Sequence, residues 1–232
     1  MKKQLRSLLK SMGVKLTHLT NDPIVENLDH CRERIRLAPT GWIDWQHDVS
    51  SILQSAHLRA LLDHFRPDLV VVGANHGQFA ASVRQLGYLG PMISLEPQAD
   101  LFEQLKVKAK ADAQGWEVFR GGASDHDGEM ELNIFKGDTF SSFHQPNATA
   151  KRRFESLVEL SRVEKVPVKP LSDWLELSPF AQAQRIFLKT DTQGHDLEVI
   201  RGAAPLLPQC CMIMSESSSI ALYDRVTGAE SL

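Results

Sequence analysis

The segment that most constrains the fold is Leu69-Val70-Val71-Val72, a run of apolar, mostly β-branched residues with no polar alternation. A strand with one wet face alternates apolar and polar residues. An unbroken apolar run suits a strand covered on both faces, the condition found inside a parallel sheet. Gly73-Ala74-Asn75-His76-Gly77 follows at once, and Phe79, Ala80, Val83 and Leu86 then recur at helical spacing up to Gly87. Small residues at such a strand end let the backbone turn sharply and approach a ligand closely. Gly87 is a natural helix stop.

The same strand–helix unit recurs downstream. Met92-Ile93-Ser94-Leu95 leads through Glu96-Pro97 into a helix carrying Leu101, Phe102 and Leu105, and Trp116-Glu117-Val118-Phe119 precedes Gly121-Gly122. Met130, Leu132 and Ile134 alternate with Glu129, Glu131 and Asn133, which predicts a strand with one wet face entered by a turn at Asp127-Gly128. Residues 137–162 are polar and read as loop, with Lys151-Arg152-Arg153 in the middle. A short strand at Val166 and Val168, a helix over Leu171–Leu177, a strand at Ile186–Lys189, a helix over His195–Arg201 and a last strand at Cys211–Met214 complete the pattern. Strands alternating with helices predict an α/β, mostly parallel, doubly wound sheet of Rossmann-like type. Pro67 ends the helical run around His57–Leu62, so residues 1–66 read as a helical cap segment and 67–232 as the α/β domain.

Several function classes are disfavoured. The 26 basic and 29 acidic side chains give a net charge of −3, against a dedicated nucleic-acid binder. Cys31, Cys210 and Cys211 form neither a disulfide framework nor a metal-ligand spacing, so reduced thiols, no metal and a cytoplasmic location are expected. Leu5, Leu8, Leu9, Met12 and Leu16 repeat at helical spacing opposite Lys2, Lys3, Arg6 and Lys10. Such a basic amphipathic helix can lie on a membrane, but packing on its own domain is the expectation.

Glu96 stands at the tip of the second strand, 19 residues after Gly77. A carboxylate there can accept hydrogen bonds from the two hydroxyls of a ribose, so the pair of features points to an adenosine-containing cofactor. A dinucleotide needs G-x-G-x-x-G to cradle its pyrophosphate, whereas here Asn75 takes the middle position and the third glycine is absent. S-adenosylmethionine carries no phosphate and tolerates the looser pattern.

An ordered set of blocks then resembles the FkbM-type methyltransferases. It comprises Val72-Gly73-Ala74-Asn75-x-Gly77, Leu95-Glu96-Pro97, Ala123-Ser124-Asp125-x-x-Gly128, Ser141-Ser142, Leu188-Lys189-x-Asp191-x-Gln193-Gly194 and Glu198-Val199-Ile200-x-Gly202-Ala203, with Glu216 and Tyr223 beyond them. The resemblance implies a class I fold using S-adenosylmethionine to methylate a hydroxyl of a small molecule or sugar. It implies that Gly73, Asn75 and Gly77 contact the methionine part of the cofactor, that Glu96 binds the ribose, and that Ala123 and Ser124 border the adenine. Lys189, Asp191 and His195 are then expected near the methyl-transfer point, with His195 as candidate general base and His144 as a second.

Other readings of these residues stay open. Asp191 is placed to cap the helix after it, and His195 to be an exposed first-turn residue. Lys151-Arg152-Arg153 reads as a solvated face or as an anion site. Val71 stands where the family generally has an acid, and Asp196 where glutamate is commoner, which leaves a non-catalytic binding protein as the alternative. The resemblance implies a reversed strand pair after the last strand and its helix, so the C-terminus reads as shortened and the last strand as an open edge. Either the sequence is a fragment, or another segment or a second subunit, as in a homodimer, covers that edge.

Overall fold

The computed structural model describes residues 24, 45–216 and 220–224. The amphipathic stretch from Leu5 to Leu16, Cys31 and residues 225–232 lie outside them. The described residues fall into two units. One holds the helix α1 (Trp45–Phe65) as far as His64, with Gln85–Gly87; the other holds Phe65–Arg84 and everything from Tyr88 on. In α1, Ile52, Leu58 and Leu62 are buried while Leu53 is exposed. No helix among the described residues is long and apolar enough to cross a membrane.

The larger unit is built on β1 (Leu69–Gly73), β2 (Met92–Leu95), β3 (Trp116–Phe119), β7 (Ile186–Thr190) and β8 (Cys210–Ser215). They form one parallel sheet in the order β3-β2-β1-β7-β8. Helices α2 (Gln78–Gln85) and α3 (Ala99–Ala111) make the crossovers that parallel neighbours require. Leu69, Val70, Met92, Ile186 and Phe187 are fully buried, as the unbroken apolar runs demand.

Side chains alternate across each strand. Leu69, Val71, Ile93, Leu95, Ile186 and Leu188 share one core with Leu171, Trp174 and Leu175 of α5 (Leu171–Glu176) and Val199 of α6 (Asp196–Gly202). Phe187, pointing the other way, meets the edge of the Phe79 ring at 6.0 Å. The chain winds outward from β1 to β3 and then returns to place β7 on the other side of β1. That reversal is a topological switch point, and open α/β sheets bind ligands beyond the strand ends there.

A second sheet, β4-β6-β5, joins β4 (Gly122–Ala123), β5 (Gly128–Phe135) and β6 (Leu160–Lys169). Three local expectations are corrected here. The wet face of β5 ends at Glu131, because Asn133 is buried: its Nδ2 donates to the Ser142 carbonyl and its Oδ1 accepts from Gln145 Nε2. The short strand at Val166 and Val168 is the last part of a ten-residue strand whose first half is polar and pairs only with β5.

The polar stretch 137–162 is not all loop. It holds a 3₁₀ turn over Asp138–Phe140 and the helix α4 (Ala148–Phe154). Asn147 caps α4, its Oδ1 accepting from Thr149 N at 2.9 Å and Ala150 N at 3.0 Å. Lys151, Arg152 and Arg153 are exposed on that helix.

Candidate functional site

The loop after β1 is shaped by backbone conformation. Asn75 and Gly77 both take positive φ, 46° and 81°. A Cβ on Gly77 would come 2.8 Å from Leu105 Cδ2 and 3.0 Å from the Trp116 ring. Gly77 therefore serves the turn and the close approach of α2 to α3 and β3. Asn75 Oδ1 accepts from the His76 amide at 2.8 Å and from Gln78 Nε2 at 3.2 Å, which fixes the left-handed turn.

A cavity of about 310 Å³ opens at the C-terminal ends of β1, β2 and β7. Gly73, Asn75, Gln78 and Phe79 line it from the first loop, Glu96 to Gln98 from the second, and Lys189 to Gln193 from the third. Leu132 and Ser141 to Phe143 complete it from β5 and the loop that follows. Its volume is at the lower end of small-molecule sites.

Glu96 is the unusual group in this cavity. It is 3% exposed, and among the described residues no cationic side chain pairs with it. Burial pushes its carboxyl up to about 8, against the pull of hydrogen bonds from the backbone amides of Gln98 and Asn75. The Gln98 amide lies 2.9 Å from Oε1. A buried carboxylate with acceptor capacity left over is suited to a ligand that brings donors.

At the opposite wall, Asp191 leaves β7 and stands among several partners. Lys189 Nζ is 2.7 Å from Oδ2, and Gln193 Nε2 donates to Oδ1 at 3.0 Å. Burial raises the Asp191 pKa, but hydrogen bonding with Glu216 and the Lys189 charge outweigh it, so the group stays below its ordinary value. Glu216 carries the other side of this sharing: its hydrogen bond to Asp191 and its burial lift it to about 7. The two carboxyls thus titrate as a pair, with the proton favouring Glu216.

Gln193, at φ 52°, is fixed from two further directions. Ser142 Oγ donates to its carbonyl at 2.7 Å, and Tyr223 Oη lies 3.0 Å from its Oε1. Three hydroxyls on the cavity wall, Ser141 Oγ, Thr190 Oγ1 and Thr192 Oγ1, are buried and make no hydrogen bond among the described residues.

The residues singled out in the sequence divide by position. Gly73, Asn75, Glu96, Ala123, Lys189 and Asp191 line the cavity; Gly77, Ser124 and His195 are not among the lining residues. Asp191 does not cap α6, whose N-cap is His195 without a side-chain capping bond. Nor is His195 an exposed first-turn residue. It is 2% exposed, with Nε2 3.1 Å from Ser124 Oγ, Nδ1 3.3 Å from His144 Nε2, and its ring against Phe143. Burial lowers its pKa, opposed by the nearby Glu198 carboxylate. Val71, in place of an acid, is 3% exposed in the core and borders the cavity.

Glu216, Gln193 and Tyr223 were visible in the sequence only as members of a pattern. Their link to Asp191 comes from the fold. Of the three unpaired hydroxyls, Ser141 belongs to that pattern too, whereas Thr190 and Thr192 had no sequence signal, since threonine is common in any loop.

The whole site falls within a segment that a known family describes. Among curated proteins, none matches the chain. The family model of the methyltransferase FkbM domain matches residues 72–229, from the end of β1 past Tyr223. With that match over more than half of the chain, and a five-stranded parallel sheet carrying a cavity at its switch point, the chain belongs to the FkbM methyltransferase domain family.

Proposed function

We propose that the cavity binds S-adenosylmethionine and that the protein transfers its methyl group to a hydroxyl of a small molecule or sugar. The observation that carries this reading is Glu96, a buried carboxylate without a cation at the tip of β2, where a ribose offers two donors. Gly73 and Asn75 would border the methionine part of the cofactor, and Ala123 the adenine. The cofactor supplies, when bound, a methyl group on a sulfonium, which a nucleophile can take by direct displacement.

The protein's own work is then alignment and proton removal. Asp191 is the group we assign to take the acceptor's hydroxyl proton, because it is ionised and lies on the cavity wall. Glu216 tunes it: while protonated it donates to Asp191 and lowers its basicity, and once ionised it raises that basicity. Lys189, 2.7 Å away, offsets the paired negative charge. Ser141, Thr190 and Thr192 have the unused hydrogen-bonding capacity that a polyhydroxylated acceptor would satisfy. His195, shielded from the cavity, is assigned to hold the wall rather than to move the proton.

Mass-spectrometric detection of methylated product, with S-adenosylmethionine and a panel of sugars and small alcohols, tests the activity. Product formed by the wild type and reduced by about 10²–10⁴ in Asp191→Asn supports it. Binding of the cofactor without transfer to any acceptor favours a non-catalytic binding protein.

A further inference from the structure

We propose that His144, His195 and Glu198 form a divalent-cation site of zinc type, joining the cavity-lining loop after β5 to helix α6. The three side chains each offer one ligand atom, and these atoms lie within 4.8 Å of one another. His144 Nε2 and His195 Nδ1 are 3.3 Å apart, and His195 Nδ1 is 3.7 Å from Glu198 Oε2. Two nitrogens bound tetrahedrally at zinc distances of about 2.0–2.1 Å sit about 3.4 Å from each other, so the histidine pair is already spaced for one ion.

The surroundings fit the same chemistry. Nδ1 of His195 faces the cluster while Nε2 lies 3.1 Å from Ser124 Oγ. A ring nitrogen held in this way fixes the tautomer of a metal-bound histidine. Asp125 and Asp196 add negative charge near the His195 ring. Two imidazoles and one carboxylate leave the fourth tetrahedral position to water or a further ligand. Glu198, one turn along α6, is an i,i+3 neighbour of His195, so the helix delivers its carboxylate to the same side as the two rings.

Such an ion would pin the segment containing Ser142 and Phe143, both of which line the cavity, to α6. The inference rests on the cluster alone and stands or falls apart from the methyltransferase reading. It differs from the expectation of no metal, which rests on cysteine spacing alone. His144 and His195 are 51 residues apart, and only the fold brings them together.

The test is titration of the full, chelator-treated chain with Zn²⁺ by calorimetry, alongside Glu198→Gln, His144→Ala and Ser124→Ala. Each variant's fold is checked by circular dichroism. The expected result is one tight equivalent in the wild type, an affinity about 100-fold weaker or worse when either ligand is lost, and about 10–100-fold weaker in Ser124→Ala. Co²⁺ in place of Zn²⁺ should give tetrahedral visible bands without a thiolate charge-transfer band. Equal zinc affinity in the wild type and in whichever ligand variants fold overturns the proposal. So does a thiolate band, which would move the site to the cysteines.

Discussion

At the scale of single residues, two carboxyl groups carry most of the chemistry. Glu96 has an ordinary value of 4.5 when exposed and about 8 in the fold. Between those values the folded chain binds more protons than the unfolded one, so stability falls as pH rises from about 4.5 to about 8. Glu96→Gln removes this penalty: thermal melts should show a flatter profile over that window, with the variant at least as stable as wild type at pH 8. The same variant should weaken S-adenosylmethionine binding by about 1–3 kcal/mol, the usual cost of charge-assisted hydrogen bonds. A purely structural Glu96 cannot produce that opposition. For Asp191 and Glu216, the transfer rate should rise as pH passes about 7 and Glu216 loses its proton. Glu216→Gln should abolish the rise, which a pH–rate profile of kcat reads directly. Glu96 was legible in the sequence because its position is local to a strand end. The burial of His195 was not, since it depends on Ser124 and Phe143 from distant segments.

At the scale of elements, the parallel strands were legible and the second sheet was not. The runs Leu69–Val72 and Ile186–Lys189 declare burial on both faces by composition alone. The first half of β6, Leu160 to Lys165, is mostly exposed and polar, so nothing in it signals a strand until β5 pairs with it. Helix α4 is hidden for a related reason: its exposed residues are polar like those of a loop, although Asn147 supplies an ordinary cap. That asparagine also donates through Nδ2 to the Ala221 carbonyl at 2.7 Å and through its amide to Leu222 at 2.9 Å. Asn147→Ala should cost about 0.5–2 kcal/mol in urea unfolding, with faster amide exchange at 147 to 151. A larger effect is expected where α6 meets the segment after β4. A Cβ on Gly202 would lie 1.8 Å from the Ser124 carbonyl oxygen, and backbone cannot move aside as a flexible side chain can. Gly202→Ala should therefore destabilise by about 1–3 kcal/mol or more by chemical denaturation.

At the scale of the larger unit, the cavity exists because three strand ends and one returning loop meet at the reversal between β1 and β7. The parallel pairing follows from the recurring strand–helix unit, and the apolar runs alone put Gly73, Glu96 and Asp191 at strand ends. What it could not supply was the closing side: Leu132, Ser141 and Ser142 arrive from β5 and its loop, and Glu216 and Tyr223 from after β8. Those contacts bridge 30 to more than 80 residues, beyond the reach of any local pattern. The family assignment covers this whole assembly, whereas the cofactor rests on Glu96. Calorimetric titration of the full chain with S-adenosylmethionine at pH 8, beside Glu96→Gln, tests that claim most directly. Saturable binding of one equivalent in the wild type, weakened about 5–150-fold in the variant, is the predicted result. No binding at millimolar cofactor in a folded sample, or equal affinity in the two proteins, would contradict it.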